Sequence, residues 1–199
     1  MMKIILAKEF ESDTKNQMSK IFVDGFFQWL KFFTKDKTKL EKTFSHMFNL
    51  DNFYISVIND EIAGMAACSD GKTPSVILNK KEFKKNLGFF MGSFAYLRLR
   101  HEFEKKVYPF EINSGMGMVE FVATSQNYRG QGVATSIIKS IIELSNYKEL
   151  VLEVADTNIN AVKLYKKIGF CEFLRLKQKH SKISGVNYLI YMNYLKDKQ

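Results

Sequence analysis

Two apolar spacings alternate along the chain, one of strand type and one of helix type. Lys3 to Ala7 is a short β-type run. Beyond Asp13, a residue able to cap a helix, Met18, Ile21, Phe22, Gly25, Phe26 and Trp29 fall on one helical face. A second helix is predicted from Lys37 to Phe48, with Leu40, Phe44 and Met47 apolar. Phe53 to Ile58 and Ile62 to Cys68 read as strands joined at Asn59-Asp60, a pair suited to a tight hairpin turn. A polar loop, Ser69 to Ser75, leads to a long and mostly helical stretch from Asn79 to about Lys106, interrupted or kinked near Gly88 and Gly92.

The second half is more regular. Met116 to Thr124 is a strand, and a helix follows to about Ser145 with Val133, Ala134, Ile137, Ile138, Ile141 and Ile142 apolar. Glu149 to Val154 is a strand. A helix capped by Thr157 or Asn158 runs to Ile168, and Gly169 sits where a left-handed C-terminal cap belongs. Phe170 to Lys177 and Asn187 to Tyr194 are the last strands, joined through His180 to Gly185. The order is βααββ, a helical section, then βαβαββ. The β-α-β unit implies a parallel pair with a right-handed crossover, and the hairpins imply antiparallel pairing. The expected class is α/β: a mixed, mostly antiparallel central sheet with one parallel strand pair, flanked by helices. With 199 residues the chain fits one domain over 1–199, carrying an aromatic-rich helical section at about 79–110.

Composition narrows the partners. A net charge of +9 favours anionic ligands such as nucleotides or acyl-CoA, or is a solvated lysine surface. The basic residues are scattered rather than gathered into an aromatic-interleaved stripe, so nucleic-acid binding is not expected. The longest apolar stretch, Leu87 to Leu97, is too short to span a bilayer, and no signal peptide is visible. Cys68 and Cys171 belong to no CxxC pair and read as buried small apolar residues of a reduced, cytoplasmic protein. His46, His101 and His180 lack metal-ligand spacing, so no metal is expected. Phe83, Leu87, Phe90, Met91, Phe94, Leu97 and Leu99 read as core, with a lid over an apolar pocket as the alternative.

The candidate chemistry lies between Phe121 and Thr135. A strand ends at Thr124, a polar turn follows, and Arg129-Gly130-Gln131-Gly132-Val133-Ala134 opens a helix. The first N–H groups of a helix lack internal partners and sit at the positive end of its dipole, which suits a phosphate. Gly130 and Gly132 remove Cβ atoms there, and Arg129 adds a fixed cation. By simple alternation Glu120 falls on the strand face of Val122 and Thr124.

Arg129-Gly-Gln-Gly132-Val-Ala134 resembles the Arg/Gln-x-x-Gly-x-Gly/Ala signature of the GCN5-related N-acetyltransferase (GNAT) family. Asn158-Ile-Asn-Ala161-Val-Lys-Leu-Tyr165-Lys-Lys-Ile-Gly169-Phe170 is similar to that family's Asn-x-x-Ala-x-x-x-Tyr-x-x-x-Gly-Phe segment. The match covers about Gly115 to Tyr194; the N-terminal half agrees in element order only. The resemblance implies a GNAT-like fold, acetyl-CoA as co-substrate, and direct transfer to a small-molecule or peptide amine. It implies that Arg129, Gly130, Gln131, Gly132, Val133, Ala134 and Thr135 hold the CoA pyrophosphate. Val122, Ala123 and Thr124 would pair with the pantetheine arm, and Asn158 would touch it. Tyr165 would protonate the departing thiolate, with packing against its helix as the other role open to it. Glu120 is the candidate base, or else a solvent-facing or ion-paired carboxylate. No activated Cys or Ser is evident, so a ternary complex is expected rather than a ping-pong route.

Three rival readings stand beside this one. Gly130-Gln-Gly132 begins a dinucleotide fingerprint with Glu153 downstream, but Thr135 stands where its third glycine belongs. A non-catalytic acyl-CoA-binding domain has the same fold. Nucleic-acid binding rests on charge alone. A homodimer is compatible with the chain.

Overall fold

The computed structural model describes residues 2–179 and 181–196. His180 and the start of the apolar run at Met1 therefore lie outside the described residues. The strands are β1 (Lys3–Leu6), β2 (Phe53–Ile58), β3 (Glu61–Ser69), β4 (Met116–Thr124), β5 (Glu149–Ala155), β6 (Cys171–Lys177) and β7 (Tyr188–Leu195). They form one sheet in the order β1-β2-β3-β4-β5-β7-β6. Only β4 and β5 pair in parallel; every other neighbouring pair is antiparallel. The mixed α/β architecture expected from the order of elements is the one observed.

Helices cover both faces. On one side lie α1 (Thr14–Leu30), α2 (Lys37–Phe44), α3 (Lys80–Leu87) and α4 (Phe89–Phe103), which share a core with β2 and β3. On the other lie α5 (Val133–Leu144) and α6 (Ile159–Ile168). A short α7 (Ser181–Ser184) precedes β7. Met18 and Phe22 of α1 are fully buried, as their spacing predicts, and each contributes about 1.5–3 kcal/mol of burial. The β2–β3 turn forms at Asn59 and Asp60, both in the left-handed region at φ 51° and 60°.

Several local expectations are corrected. Asp13 stands at the α1 N-cap with φ 41°, but its carboxylate accepts from the Asn16 side chain instead of a backbone N–H. The second helix stops at Phe44, and Phe48 forms a β-bridge with Val76. The long helical stretch breaks at Gly88 alone, where φ is 84°. Gly92 lies inside α4 and marks close packing rather than a kink. A Cβ there would meet the Phe83 carbonyl carbon of α3 at 2.6 Å.

That packing inverts α4. Its small residues Gly92 and Ala95 face inward, while Phe89, Phe90, Phe94 and Leu97 face out, Phe90 with 86% of its surface exposed. The core reading therefore holds for Phe83 and Leu99 and fails for Phe90, Met91, Phe94 and Leu97. Cys68 is buried as expected, and burial pushes its thiol up to about 12. Cys171 is exposed at the start of β6, contrary to the sequence reading. Among the described residues no helix is long and apolar enough to cross a membrane.

Candidate active site

The site begins with an irregularity in β4. Met65 pairs with Ala123 and Ala67 with Glu120, so Ala66 alone stands opposite both Phe121 and Val122. This is a β-bulge, and Phe121 takes φ 53° to accommodate it. A non-glycine residue in that region costs on the order of 1–3 kcal/mol. Aromatic packing offsets the cost: the Phe121 ring lies 5.4 Å from Phe103, 6.1 Å from Phe22 and 6.2 Å from Phe53. The extra residue also breaks the alternation of faces. Phe121 and Ala123 join the α1 side, and Val122 joins the α5 side. Glu120 therefore does not share a face with Val122, as simple alternation had it.

β4 and β5 then part company. Their parallel pairing runs from Met116 opposite Glu149 to Val119 opposite Leu152 and goes no further. Both strands continue, so Glu120 and Glu153 are the first residues of a fork. Residues 104–115 pass over its α1-side face, anchored where Phe110 packs on Phe173 and Tyr191. The Tyr108 hydroxyl donates to Glu120 Oε1 at 2.7 Å, and the Ser75 hydroxyl donates to Oε2 at 2.8 Å. Lys106 Nζ lies 3.3 Å from Glu153 Oε2. Burial raises the Tyr108 phenol pKa, and the nearby Glu120 charge adds to the rise. Burial and then Glu153 do the same for Tyr191.

Sequence reasoning missed Ser75, Lys106, Tyr108 and Tyr191 as parts of this group. They are far apart in the chain or lie in irregular segments, so no local spacing links them. Glu153 was legible as a strand residue, and the parallel register of β4 and β5 is the signal that sets it beside Glu120.

On the opposite side, α5 begins where the sequence predicts. Gly130 and Gly132 adopt φ 76° and 78°, and a Cβ at either would meet nothing within 4 Å. The glycines thus supply a backbone shape in front of open space. No side chain caps the α5 N-terminus. Arg129 is exposed and makes no ion pair among the described residues. The loop is pinned by the Ser125 N–H donating to the Ala63 carbonyl at 2.9 Å and by the Gln131 side chain donating to the Asn127 carbonyl at 3.2 Å. Val133 is buried against β3, where Gly64 gives it room: a Cβ on Gly64 would lie 2.6 Å from Val133 Cγ1. Ala134 and Thr135 are half-buried in the first turn. Open space, uncapped N–H donors and a nearby guanidinium fit an anionic phosphate.

α6 contributes the remaining predicted residues. Asn158 caps the helix, its side-chain oxygen accepting from the Ala161 N–H at 3.3 Å. Gly169 ends it in the left-handed region at φ 116°. Tyr165 is buried among α5 and β-strand residues, with its ring 6.1 Å from Phe170. Burial alone pushes the phenol pKa up, so the hydroxyl keeps its proton at neutral pH. The structure thus sets Glu120 on one side of the sheet and Tyr165 on the other, with the fork between them. No group of three or more metal-ligating side chains occurs among the described residues.

A bulged strand, a fork beside a parallel neighbour and a glycine-opened helix define a mixed α/β fold with an open, anion-receptive helix end beside the fork. The family model for the acetyltransferase (GNAT) family matches residues 16–170, and the chain belongs to that family. It is 30% identical over 81 residues to N-alpha-acetyltransferase 30 of Schizosaccharomyces pombe, covering 39% of this chain and 54% of that protein. It is 38% identical over 60 residues to an N-alpha-acetyltransferase of Sulfurisphaera tokodaii, covering 28% and 36%. The chain thus spans about half or less of the length of these relatives. An N-acetyltransferase from Staphylococcus aureus matches in structure at a TM-score of 0.60 and 18% identity, over 98% of this chain and all of that one. That likeness is one of fold.

Proposed function

We propose that residues 1–199 act as one acetyl-CoA-dependent N-acetyltransferase, moving the acetyl group directly to a primary amine. The observation that carries this reading is the fork at Glu120 and Glu153, set beside the open, uncapped N-terminus of α5. In this reading the N–H groups of Gln131, Gly132, Val133 and Ala134, with Arg129, Gly130 and Thr135, hold the pyrophosphate. Beyond Val119 the β5-facing edge of β4 has no strand partner, which supports pairing of Val122, Ala123 and Thr124 with an extended pantetheine arm. Asn158 borders the same arm. The bulge leaves a backbone N–H outside the ladder, a donor suited to the thioester carbonyl.

Glu120 takes the proton that the amine must lose. Both of its oxygens already accept one hydrogen bond, and a carboxylate oxygen has a second lone pair for that task. Tyr165 protonates the departing thiolate. The names of the curated relatives support a peptide or protein α-amine as acceptor. The two carboxylates at the fork support an acceptor that arrives as a cation. Two free cysteines support a reducing compartment such as the cytoplasm.

The hydrogen bonds that both Glu120 oxygens already accept favour one second reading, a non-catalytic acyl-CoA-binding domain. A panel of amine acceptors assayed by thiol release separates the two. It should contain peptides with free and blocked N-termini, lysine and small aromatic amines. The proposal expects thiol release that requires a free amine. Acetyl-CoA binding with no release across the panel would establish the second reading.

A further inference from the structure

One primary amine of the chain already stands at the fork. Lys106 Nζ is 3.3 Å from Glu153 Oε2 and 5.0 Å from the centre of the Tyr108 ring, whose hydroxyl donates to Glu120. Its side chain is 24% exposed; the other ion-paired lysines, among the described residues, are 41% exposed or more. Its place is fixed from both directions along the chain. Arg100 pairs with Glu104 on one side, and Tyr108 and Phe110 pack over β4 and β7 on the other. A half-buried ammonium paired with one of the two carboxylates at the fork resembles a bound acceptor.

We propose that Lys106 is a self-acetylation site, the amine that the chain modifies when no other acceptor fills the fork. This rests on the acetyltransferase reading above. The Lys106 ammonium gives a proton to Glu153, and the neutral Nζ attacks the thioester carbonyl carbon of acetyl-CoA. The N–C bond forms, the C–S bond breaks, and the second proton lost by nitrogen balances the one that the CoA thiolate takes up. The products are an acetylated lysine, free CoA and one proton released to solvent. The modified side chain no longer pairs with Glu153, which is then free to meet an incoming cation.

The test uses the full chain with acetyl-CoA alone, followed by intact-mass measurement and peptide mapping. Positioning within one molecule gives a large advantage over collision, so Lys106 should be labelled at least about tenfold faster than exposed lysines. The rate per molecule should not change on dilution. Excess desulfo-CoA should suppress labelling of Lys106 but not of surface lysines, and Glu153→Gln should slow labelling of Lys106. An unlabelled Lys106, labelling no faster than at the surface, a rate that falls with dilution, or indifference to desulfo-CoA or to Glu153→Gln would each overturn the inference. Thiol release with the amine panel but none on Lys106 would overturn it alone. No turnover in either assay would overturn the acetyltransferase reading as well.

Discussion

In the proposed reaction Tyr165 and Glu120 act from opposite faces of the sheet, and their surroundings predict different mutant behaviour. Tyr165 is buried and its phenol stays protonated at neutral pH, as a proton donor must. Tyr165→Phe keeps the ring and removes only the donor. It should lower turnover by about tenfold to a hundredfold with acetyl-CoA affinity nearly unchanged, as steady-state kinetics beside a binding titration would show. Equal turnover would leave Tyr165 a packing residue. Glu120→Gln retains acceptance from Tyr108 or Ser75 but loses the proposed base. Its pH–rate profile should differ from that of the wild type, whereas an unaltered profile would assign proton removal to water or to Glu153. At this scale the sequence revealed residue types more readily than their faces. Nothing in Phe121 announces a positive φ, so alternation past the bulge came out wrong by one residue.

α3 and α4 show what element patterning can and cannot reveal. Their helical character was legible from spacing, and Gly88 was legible as a breaker. Gly92 was not, because a glycine reads the same whether it kinks a helix or lets a neighbour approach. The orientation of α4 was also hidden. Phe90, Phe94 and Leu97 at helical spacing argue for a core face, but the close approach at Gly92 turns that stripe outward. Gly92→Ala would drive a methyl group against the Phe83 carbonyl. It should destabilise the fold by about 1–3 kcal/mol in a chemical denaturation curve. An unchanged midpoint would mean that α3 and α4 separate without cost. By contrast α5 and α6, with Gly132, Asn158 and Gly169 at their ends, matched the prediction closely because caps are local chemistry.

At the scale of the whole molecule, the one parallel crossover and the antiparallel hairpins were readable from the order of elements, whereas the strand order, with β7 between β5 and β6, was not. The cluster around the fork was not, because it assembles residues from a loop, the irregular stretch after α4, and three strands. Its buried phenols have a global consequence. Tyr108, Tyr165 and Tyr191 all have raised pKa values, and Cys68 is raised to about 12. The unfolded chain therefore loses these protons first, binds fewer than the native state at alkaline pH, and gains stability relative to it. The protection is complete below about pH 8, where the unfolded thiol and phenols are still protonated, and is lost as pH rises toward the native values. Calorimetric melting temperatures should be flat with respect to these groups from pH 7 to about 8, begin to fall as the unfolded thiol ionises, and fall more steeply above about pH 10 as the unfolded phenols follow. Stability that stayed level through pH 11 would contradict the burial of these phenols.

The central claim is that the N-terminus of α5 and the β4–β5 fork receive acetyl-CoA. Calorimetric titration of acetyl-CoA into the wild-type chain and into Gly132→Glu tests it most directly, with circular dichroism to confirm that the variant folds. The account predicts saturable one-to-one binding to the wild type. It predicts at least about a hundredfold weaker binding to the variant, whose carboxylate would occupy the phosphate position, equivalent to a loss of roughly 2.7 kcal/mol. No binding to the wild type, or equal binding to a folded variant, would contradict it.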